Sequence, residues 1–438
     1  MSEYSMGDDD FIQDLCTFKN PKYAEALKQN RSVRLIDPKT YLYSYSEETD
    51  TLQLPIGFLE AVLENCPYAE VVDQRHTHPH PVNIPFSGTL REYQELFILN
   101  ALEAEVGVLV APTGAGKTVS AIALASRLGQ RCLILVKSGD LAKQWIDAVK
   151  QFTGLDCGLI GGGKNTEGAQ FTVGLVQSLV KRDLSTFDYG LVIADECHNA
   201  PANQFYTVIN GLDAKYKYGL SATPQRRDSL EFMIHACLGE IVSEIKQSDL
   251  EGKVLPVQIQ TINHDFHGSP ESWNDFINIL IDDDSRNQII INLAKQQTRP
   301  TIILCSQVRH CEILTDLAQQ AGLVPLMIHG GLPSKVRVER MQQAMDARLV
   351  IGTSQLLSEG IDLPPLEVLI FASPMSAVVV KEGDPAATKL IQSIGRCRRP
   401  YPGKLFAKVY DLIDRCGFGV SAFKKRKQIY ILNGWSIL

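Results

Sequence analysis

Ala111-Pro112-Thr113-Gly114-Ala115-Gly116-Lys117-Thr118 follows an apolar run, Val106–Val110, and opens a helical stretch, Val119–Leu128. Glycines at such a strand-to-helix turn let backbone N–H groups converge on a phosphate, and the helix N-terminus adds partial positive charge. In that frame Lys117 reaches the β- and γ-phosphates of ATP, and the Thr118 hydroxyl binds Mg²⁺. Ala111 stands where the general pattern has Gly. A second constellation, Asp195-Glu196-Cys197-His198, closes the apolar run Leu191–Ala194 and puts two acids at a strand's carboxyl end, where ligands sit in open α/β sheets. Asp195 is the candidate Mg²⁺ ligand, and Glu196 is placed to polarise the water that attacks the γ-phosphate.

The elements that must hold these residues are legible as short Val/Ile/Leu runs alternating with helical stretches from residue 86 onward. The runs are Val106–Ala111, Cys132–Val136, Phe171–Val176, Leu191–Ala194, Thr301–Cys305, Leu349–Gly352, Val368–Ala372 and Phe406–Leu412. Near-continuous apolar strands belong to parallel sheets covered on both faces. The pattern is too long for one core, and the Gly/Pro/His-bearing segment at 251–270 is read as the divide. The expected organisation is a small N-terminal unit with linker (1–85), one doubly wound domain (86–250) and a second (251–438).

Further motifs follow in order. Leu90-Arg91-Glu92-Tyr93-Gln94 precedes the phosphate loop, and Leu141-Ala142-Lys143-Gln144-Trp145 follows the second strand. Ser221-Ala222-Thr223-Pro224 and Gly352-Thr353-Ser354 come next. Glu359-Gly360-Ile361-Asp362 and Gln392-Ser393-Ile394-Gly395-Arg396-Cys397-Arg398-Arg399 complete the series. Taking Gly352-Thr353-Ser354 with Glu359-Gly360-Ile361-Asp362 as one motif and adding the two constellations above, these seven motifs, ordered over about 310 residues, resemble the superfamily-2 helicases. The resemblance implies an α/β fold of two RecA-like domains, with ATP in the cleft between them and nucleic acid across their top, plus a small N-terminal α+β domain. It assigns Arg91, Gln94, Pro112, Thr113, Gly114, Ala115, Gly116, Lys117, Thr118, Gly360, Asp362 and Gln392 to nucleotide binding, and Thr118 and Asp195 to the metal. His198, Ser221 and Thr223 couple hydrolysis to domain movement. Lys117, Asp195, Glu196, Arg396 and Arg399 carry the chemistry, the two arginines neutralising transition-state charge. Arg398 is expected to face nucleic acid or solvent.

Asp-Glu-Cys-His in place of D-E-A-D, and Gln392 at the head of the last motif, resemble the DNA-directed UvsW/XPB-like branch more than the RNA-directed one. The expected activity is therefore an ATP-dependent DNA helicase or translocase that unwinds or branch-migrates forked and branched DNA in replication, recombination or repair, as in tailed-coliphage relatives. The alternatives are an RNA-dependent ATPase and a nucleotide-gated DNA-binding factor without strand separation. Lys137, Gln144, Gln177, Ser178, Thr353, Val379 and Lys381 are the candidate DNA contacts. Val379 and Lys381 lie in an insertion, 376–389, read as a short hairpin at the branch point.

Composition sets boundaries on these readings. The 438 residues are 45% hydrophobic and 21% charged, which excludes a mostly disordered chain. No apolar run approaches the length of a membrane span. The ten cysteines contain no C-x-x-C pair, so neither structural zinc nor a disulfide framework is expected. The acidic N-terminus argues against a leader, and the expected location is the cytoplasm, the host's if the gene is a phage's. Three histidines in His76-Thr77-His78-Pro79-His80-Pro81 are read as linker rather than metal tract.

The net charge of −7 is localised: residues 1–85 carry 7 Lys+Arg against 14 Asp+Glu, leaving 36 of each beyond them. Within the balanced remainder, residues 389–427 carry eleven basic and two acidic side chains, read as a phosphate-steering surface. In the N-terminal unit, Val33–Asp37 and Tyr41–Tyr45 are expected to pair as a hairpin around Pro38-Lys39-Thr40, followed by a helix over Ile56–Leu63. Its tyrosines are read as packing groups before base-stacking ones.

Overall fold

The computed structural model describes residues 6–438 except 30, 47, 49–50, 67–69, 113, 198–201, 223–230, 251, 253, 355–362 and 376–384. The chain divides into two compact units, Met1–Pro112 with Gly116–Ile245, and Lys246–Leu438 with Thr113–Ala115.

Among the described residues, the first unit has one large sheet of β5 (Val106–Val110), β6 (Cys132–Val136), β7 (Cys157–Gly161), β8 (Lys164–Thr166), β9 (Phe171–Leu175), β10 (Leu191–Ala194), β11 (Tyr216–Ser221) and β12 (Ile241–Glu244). Their order is β12-β5-β11-β10-β6-β9-β7-β8, and every pair is parallel except β7–β8. In the second unit, β13 (Val257–His264), β14 (Thr301–Cys305), β15 (Pro325–Ile328), β16 (Leu349–Thr353), β17 (Val368–Phe371), β18 (Ala407–Asp414) and β19 (Ser436–Ile437) are ordered β15-β16-β14-β17-β18-β13-β19. All of these pairs are parallel.

Side-chain alternation explains why the strands read as unbroken apolar runs. In the second sheet Ile302, Leu304, Val350, Leu369 and Phe371 enter one core, while Ile303, Cys305, Leu349, Ile351, Val368 and Ile370 enter another. A strand that feeds two cores needs an apolar residue at every position. These are the two doubly wound α/β domains that the sequence pattern requires.

Several expectations are corrected. The segment taken as the divide contains the eight-residue strand β13, which pairs along its whole length with β18. Its polar Gln258, Gln260 and Asn263 conceal a strand whose Val257, Ile259 and His264 are buried. In the N-terminal segment, residues 33–37 form no strand. Instead β2 (Lys39–Tyr41) pairs with β1 (Thr17–Lys19), and β3 (Ser44–Ser46) pairs with β4 (Thr51–Gln53). Each tyrosine-bearing piece therefore finds a different partner.

The N-terminal residues also lack a core of their own. Cys16, Leu42 and Phe58 pack with Met233 and Ala236 of the helix Glu231–Leu238. Gly57 fits only because it has no side chain: a Cβ there would stand 1.9 Å from the His235 carbonyl oxygen. The His76–Pro85 stretch is extended, yet tied down. His76 N–H donates to Asp213 O (2.6 Å), the Lys215 N–H donates to His76 O (2.9 Å), and the Val82 N–H donates to Gly129 O (2.8 Å). Among the described residues no helix is long and apolar enough to cross a membrane, and no His/Cys/Asp/Glu group has metal-site geometry.

Candidate active site

Strand order assembles the site. Because β11 lies between β5 and β10, the phosphate loop after β5, Ser221 at the end of β11 and Asp195-Glu196 after β10 occupy three adjacent strand ends. Backbone bonds fix the ends in register: the Ala111 N–H donates to Ser221 O (2.9 Å), and the Asp195 N–H to Leu135 O (3.0 Å).

In the phosphate loop Gly114 and Gly116 have φ of 91° and 85°, a region in which only Gly is unstrained. The helix Lys117–Leu128 starts directly after Gly116. Lys117 Nζ donates to the Ala111 carbonyl (3.0 Å) and lies 4.0 Å from Glu196 Oε1. The loop thus holds its cation beside the acidic pair. Thr118 sits in the first turn of the same helix.

Asp195 and Glu196 differ in surroundings. Asp195 Oδ2 accepts from the indole Nε1–H of Trp145 at 2.8 Å, and the Glu196 backbone N–H also donates to its carboxylate. Desolvation and then the Glu196 charge push the Asp195 carboxyl up to about 6, opposed by the Trp145 donor, the Lys117 charge and the Glu196 N–H. Glu196 has φ of 49°, unique among the described non-glycine residues in being positive. Such left-handed backbone in a residue other than Gly is strained and concentrates at functional positions. A carboxylate, a threonine hydroxyl and a lysine around a glycine cradle suit a nucleoside triphosphate with a divalent cation.

Gln94 is buried rather than a surface helix residue. Its Oε1 accepts from the Arg91 N–H at 2.9 Å, and Arg91 Nη1 donates to Tyr93 Oη at 3.0 Å. The Gln94 amide rests against Gly116, leaving no room for a Cβ. Pro112 and Ala115 lie in the phosphate loop, Ala115 fully buried.

The next two strand ends, β6 and β9, carry Lys137, Gln144, Gln177 and Ser178. Lys137 follows β6 directly, and Gln144 lies on the helix Gly139–Thr153, whose N-cap Ser138 Oγ accepts from the Leu141 N–H. Gln177 and Ser178 lie on Val176–Leu179, immediately after β9, with Gln177 exposed. Nucleotide-binding and DNA candidates of this unit therefore share one sheet edge, side by side.

In the second unit, Gln392 and Arg396 lie on the helix Pro385–Cys397, Gln392 buried. Arg399 follows that helix, and burial holds its guanidinium below the usual arginine range. Thr353 ends β16 and is buried, so its side chain is not an open DNA contact. Arg398 is half-buried: its Nε donates to Leu255 O (3.0 Å), and the Leu255 N–H donates to Arg398 O (2.9 Å), which ties it to its own domain. Thr113, His198, Thr223, Gly360, Asp362, Val379 and Lys381 lie outside the described residues, as does the hairpin reading of 376–389 over 376–384; its last five residues instead open the helix Pro385–Cys397.

Of the eleven basic residues at 389–427, Lys404 and Arg426 are buried. Arg426 is 1% exposed and forks onto Asp411, with Nε–Oδ2 and Nη2–Oδ1 both 2.9 Å. Lys404 Nζ donates to the Arg399 and Pro364 carbonyls. The two acids of the run, Asp411 and Asp414, are buried partners of Arg426 and Arg286. Arg415, Lys424 and Lys427 are exposed and the other six are half-buried, while both acids are buried, so the run keeps a positive surface.

Sequence reasoning missed Trp145 as a member of the site. Its only signal was adjacency to Gln144.

Two family models match the chain: "Type III restriction enzyme, res subunit" over residues 87–226 and "Helicase conserved C-terminal domain" over residues 285–400. The "Probable helicase D10" of Escherichia phage T5 is 25% identical over 439 residues, covering 98% of this chain and 93% of that protein. The "ATP-dependent DNA helicase uvsW" of Enterobacteria phage T4 is 24% identical over 371 residues, covering 78% of this chain and 72% of that protein. Among solved structures, Dbp5 of S. cerevisiae bound to RNA and ADP BeF3 matches with a TM-score of 0.58 at 15% identity, over 88% of this chain and 94% of that one. At that identity the likeness is one of fold.

Proposed function

Because the chain belongs to the superfamily-2 helicases of the UvsW/XPB type, we propose that it is an ATP-dependent DNA helicase that unwinds or branch-migrates forked and branched DNA. The observation that carries this reading is the contiguity of five strand ends, β5, β11, β10, β6 and β9. The first three hold Lys117, Ser221, Asp195 and Glu196; the other two hold Lys137, Gln144, Gln177 and Ser178.

In this reading the glycine cradle and Lys117 hold the β- and γ-phosphates, and Gln94 with Arg91 recognises the base. Glu196 orients and polarises the attacking water, its carboxylate aimed by a strained backbone. Thr118 and Asp195 hold Mg²⁺, which when bound offsets the negative charge of the phosphates. Arg396 and Arg399 supply the guanidinium charge for the transition state, and Ser221, Thr223 and His198 link turnover to movement. Gln392, Gly360 and Asp362 complete nucleotide recognition.

DNA is favoured over RNA by the Asp195-Glu196-Cys197-His198 and Gln392 departures from the RNA-directed pattern, and by relatives named as DNA helicases or translocases, beside one named as an RNA helicase. Branched substrates, roles in recombination and repair, and a cytoplasmic location belong to the same proposal. Lys137 and Gln177 contact the DNA backbone, while Arg415, Lys424 and Lys427 steer phosphates.

The test is a comparison of ATPase stimulation by forked DNA, linear duplex DNA and RNA of equal length. Strongest stimulation by forked DNA supports the proposal; RNA as the sole activator overturns it.

A further inference from the structure

Trp145 is 1% exposed and sits two turns into the helix Gly139–Thr153. An indole offers one donor and no acceptor, and a buried one generally finds a partner. Here the partner is Asp195 Oδ2, at 2.8 Å across two separate elements. The donor thereby fixes the plane of the carboxylate and takes up one of its oxygens. We propose that Trp145 is a positioning residue for Asp195, orienting the remaining carboxylate lone pairs toward Mg²⁺.

The inference rests on the reading of Asp195 as a metal ligand and extends it in one direction. The helix that carries Trp145 begins beside Lys137 and also carries Gln144. Trp145 thus joins candidate DNA contacts to the metal-binding oxygen by a single hydrogen bond.

The experiment uses the full chain, wild type and Trp145→Phe, with Mg²⁺ titrated into complexes with a fluorescent ADP analogue. Phe keeps most of the buried ring and removes only the donor. The expected result is metal-free nucleotide affinity within about twofold of wild type, but a Mg²⁺ half-saturation raised roughly 10-fold or more, the usual effect of losing a partner that orients a ligand. An unchanged Mg²⁺ half-saturation in Trp145→Phe overturns this inference alone. A wild type whose nucleotide affinity gains nothing from Mg²⁺ overturns the site reading as well.

Should Trp145→Phe fail to fold, the indole N–H resonances of the wild type answer instead. The three tryptophans are distinguished by Trp273→Phe and Trp435→Phe. A Trp145 signal that moves on adding Mg²⁺ to the ADP complex, while the other two stay, supports the proposal; a Trp145 signal that does not respond overturns it.

Discussion

Gln94 and Gly116 are in direct contact: a Cβ on Gly116 would stand 2.3 Å from Gln94 Nε2. The amide proposed to read the base and the loop proposed to cradle the phosphates are therefore set against each other. Gly116→Ala is expected to cost about 1 kcal/mol or more, because its φ of 85° is left-handed and its new methyl meets the amide. Thermal unfolding reads the loss, and ADP affinity should fall with it. Removing the amide as well, with Gln94→Ala, should recover the part of the stability loss due to contact and leave the part due to backbone strain.

Glu196 carries backbone strain at the position proposed for the general base. Glu196→Gly relieves the strain and Glu196→Gln retains it. The glycine variant is expected to match or exceed the glutamine variant in melting temperature, while ATP turnover in both falls by roughly 10²–10⁴-fold for loss of the general base. A glycine variant that melts well below the glutamine one contradicts the strain assignment.

His310 should dominate acid sensitivity in the second domain. It is fully buried, with Nε2 donating to Asn287 Oδ1 (2.9 Å) and Nδ1 facing Ser373 Oγ (3.3 Å). Burial, with help from the Arg286 charge, pushes its pKa down from 6.5 to about 3. Between those values the unfolded chain binds the proton and the folded chain does not. The His310 contribution is therefore complete above pH 6.5 and falls with pH by up to about 1.4 kcal/mol per unit toward pH 3. Asp414 adds a separate loss at lower pH. The Arg286 charge, with the His264 and Arg286 donors, holds its carboxyl below the usual range against the cost of burial, so its contribution disappears only as pH drops through that depressed value. Chemical denaturation across pH 4–7 should show the first slope in wild type and a flatter one in His310→Gln.

Lys137 and Gln177 sit at the ends of neighbouring strands, β6 and β9. If Lys137 neutralises one DNA phosphate, Lys137→Ala reduces the slope of log affinity against log salt by roughly 1. Gln177→Ala weakens binding without changing that slope, because an amide releases no counterion. Fluorescence anisotropy over a salt series distinguishes the two.

Residues whose sequence surroundings state their role were legible. The β5, β6, β10 and β14 runs are apolar at nearly every position because two cores claim them, and the glycine cradle and acidic pair sit at their ends. β11 and β13 escaped for the opposite reason. β11 includes Lys217, buried with Nζ donating to the Ile209 carbonyl (3.0 Å), so a charged residue interrupts the apolar signal. In the basic run, charge counting could not show that Arg426 and Asp411 neutralise each other inside the fold. Trp145 was invisible as a site residue because its hydrogen bond to Asp195 spans fifty positions of sequence. Local pattern reports the elements and their loops; partnerships between side chains of distant elements appear only once the sheet order is known.

The central claim is that ATP turnover at Lys117, Asp195 and Glu196 drives strand exchange in branched DNA. The most direct measurement is strand displacement on a panel of forks, three-way and four-way junctions under ATP, with wild type beside Glu196→Gln. The account predicts that wild type resolves the branched substrates while Glu196→Gln binds them and leaves them intact; equal displacement by both proteins would contradict it.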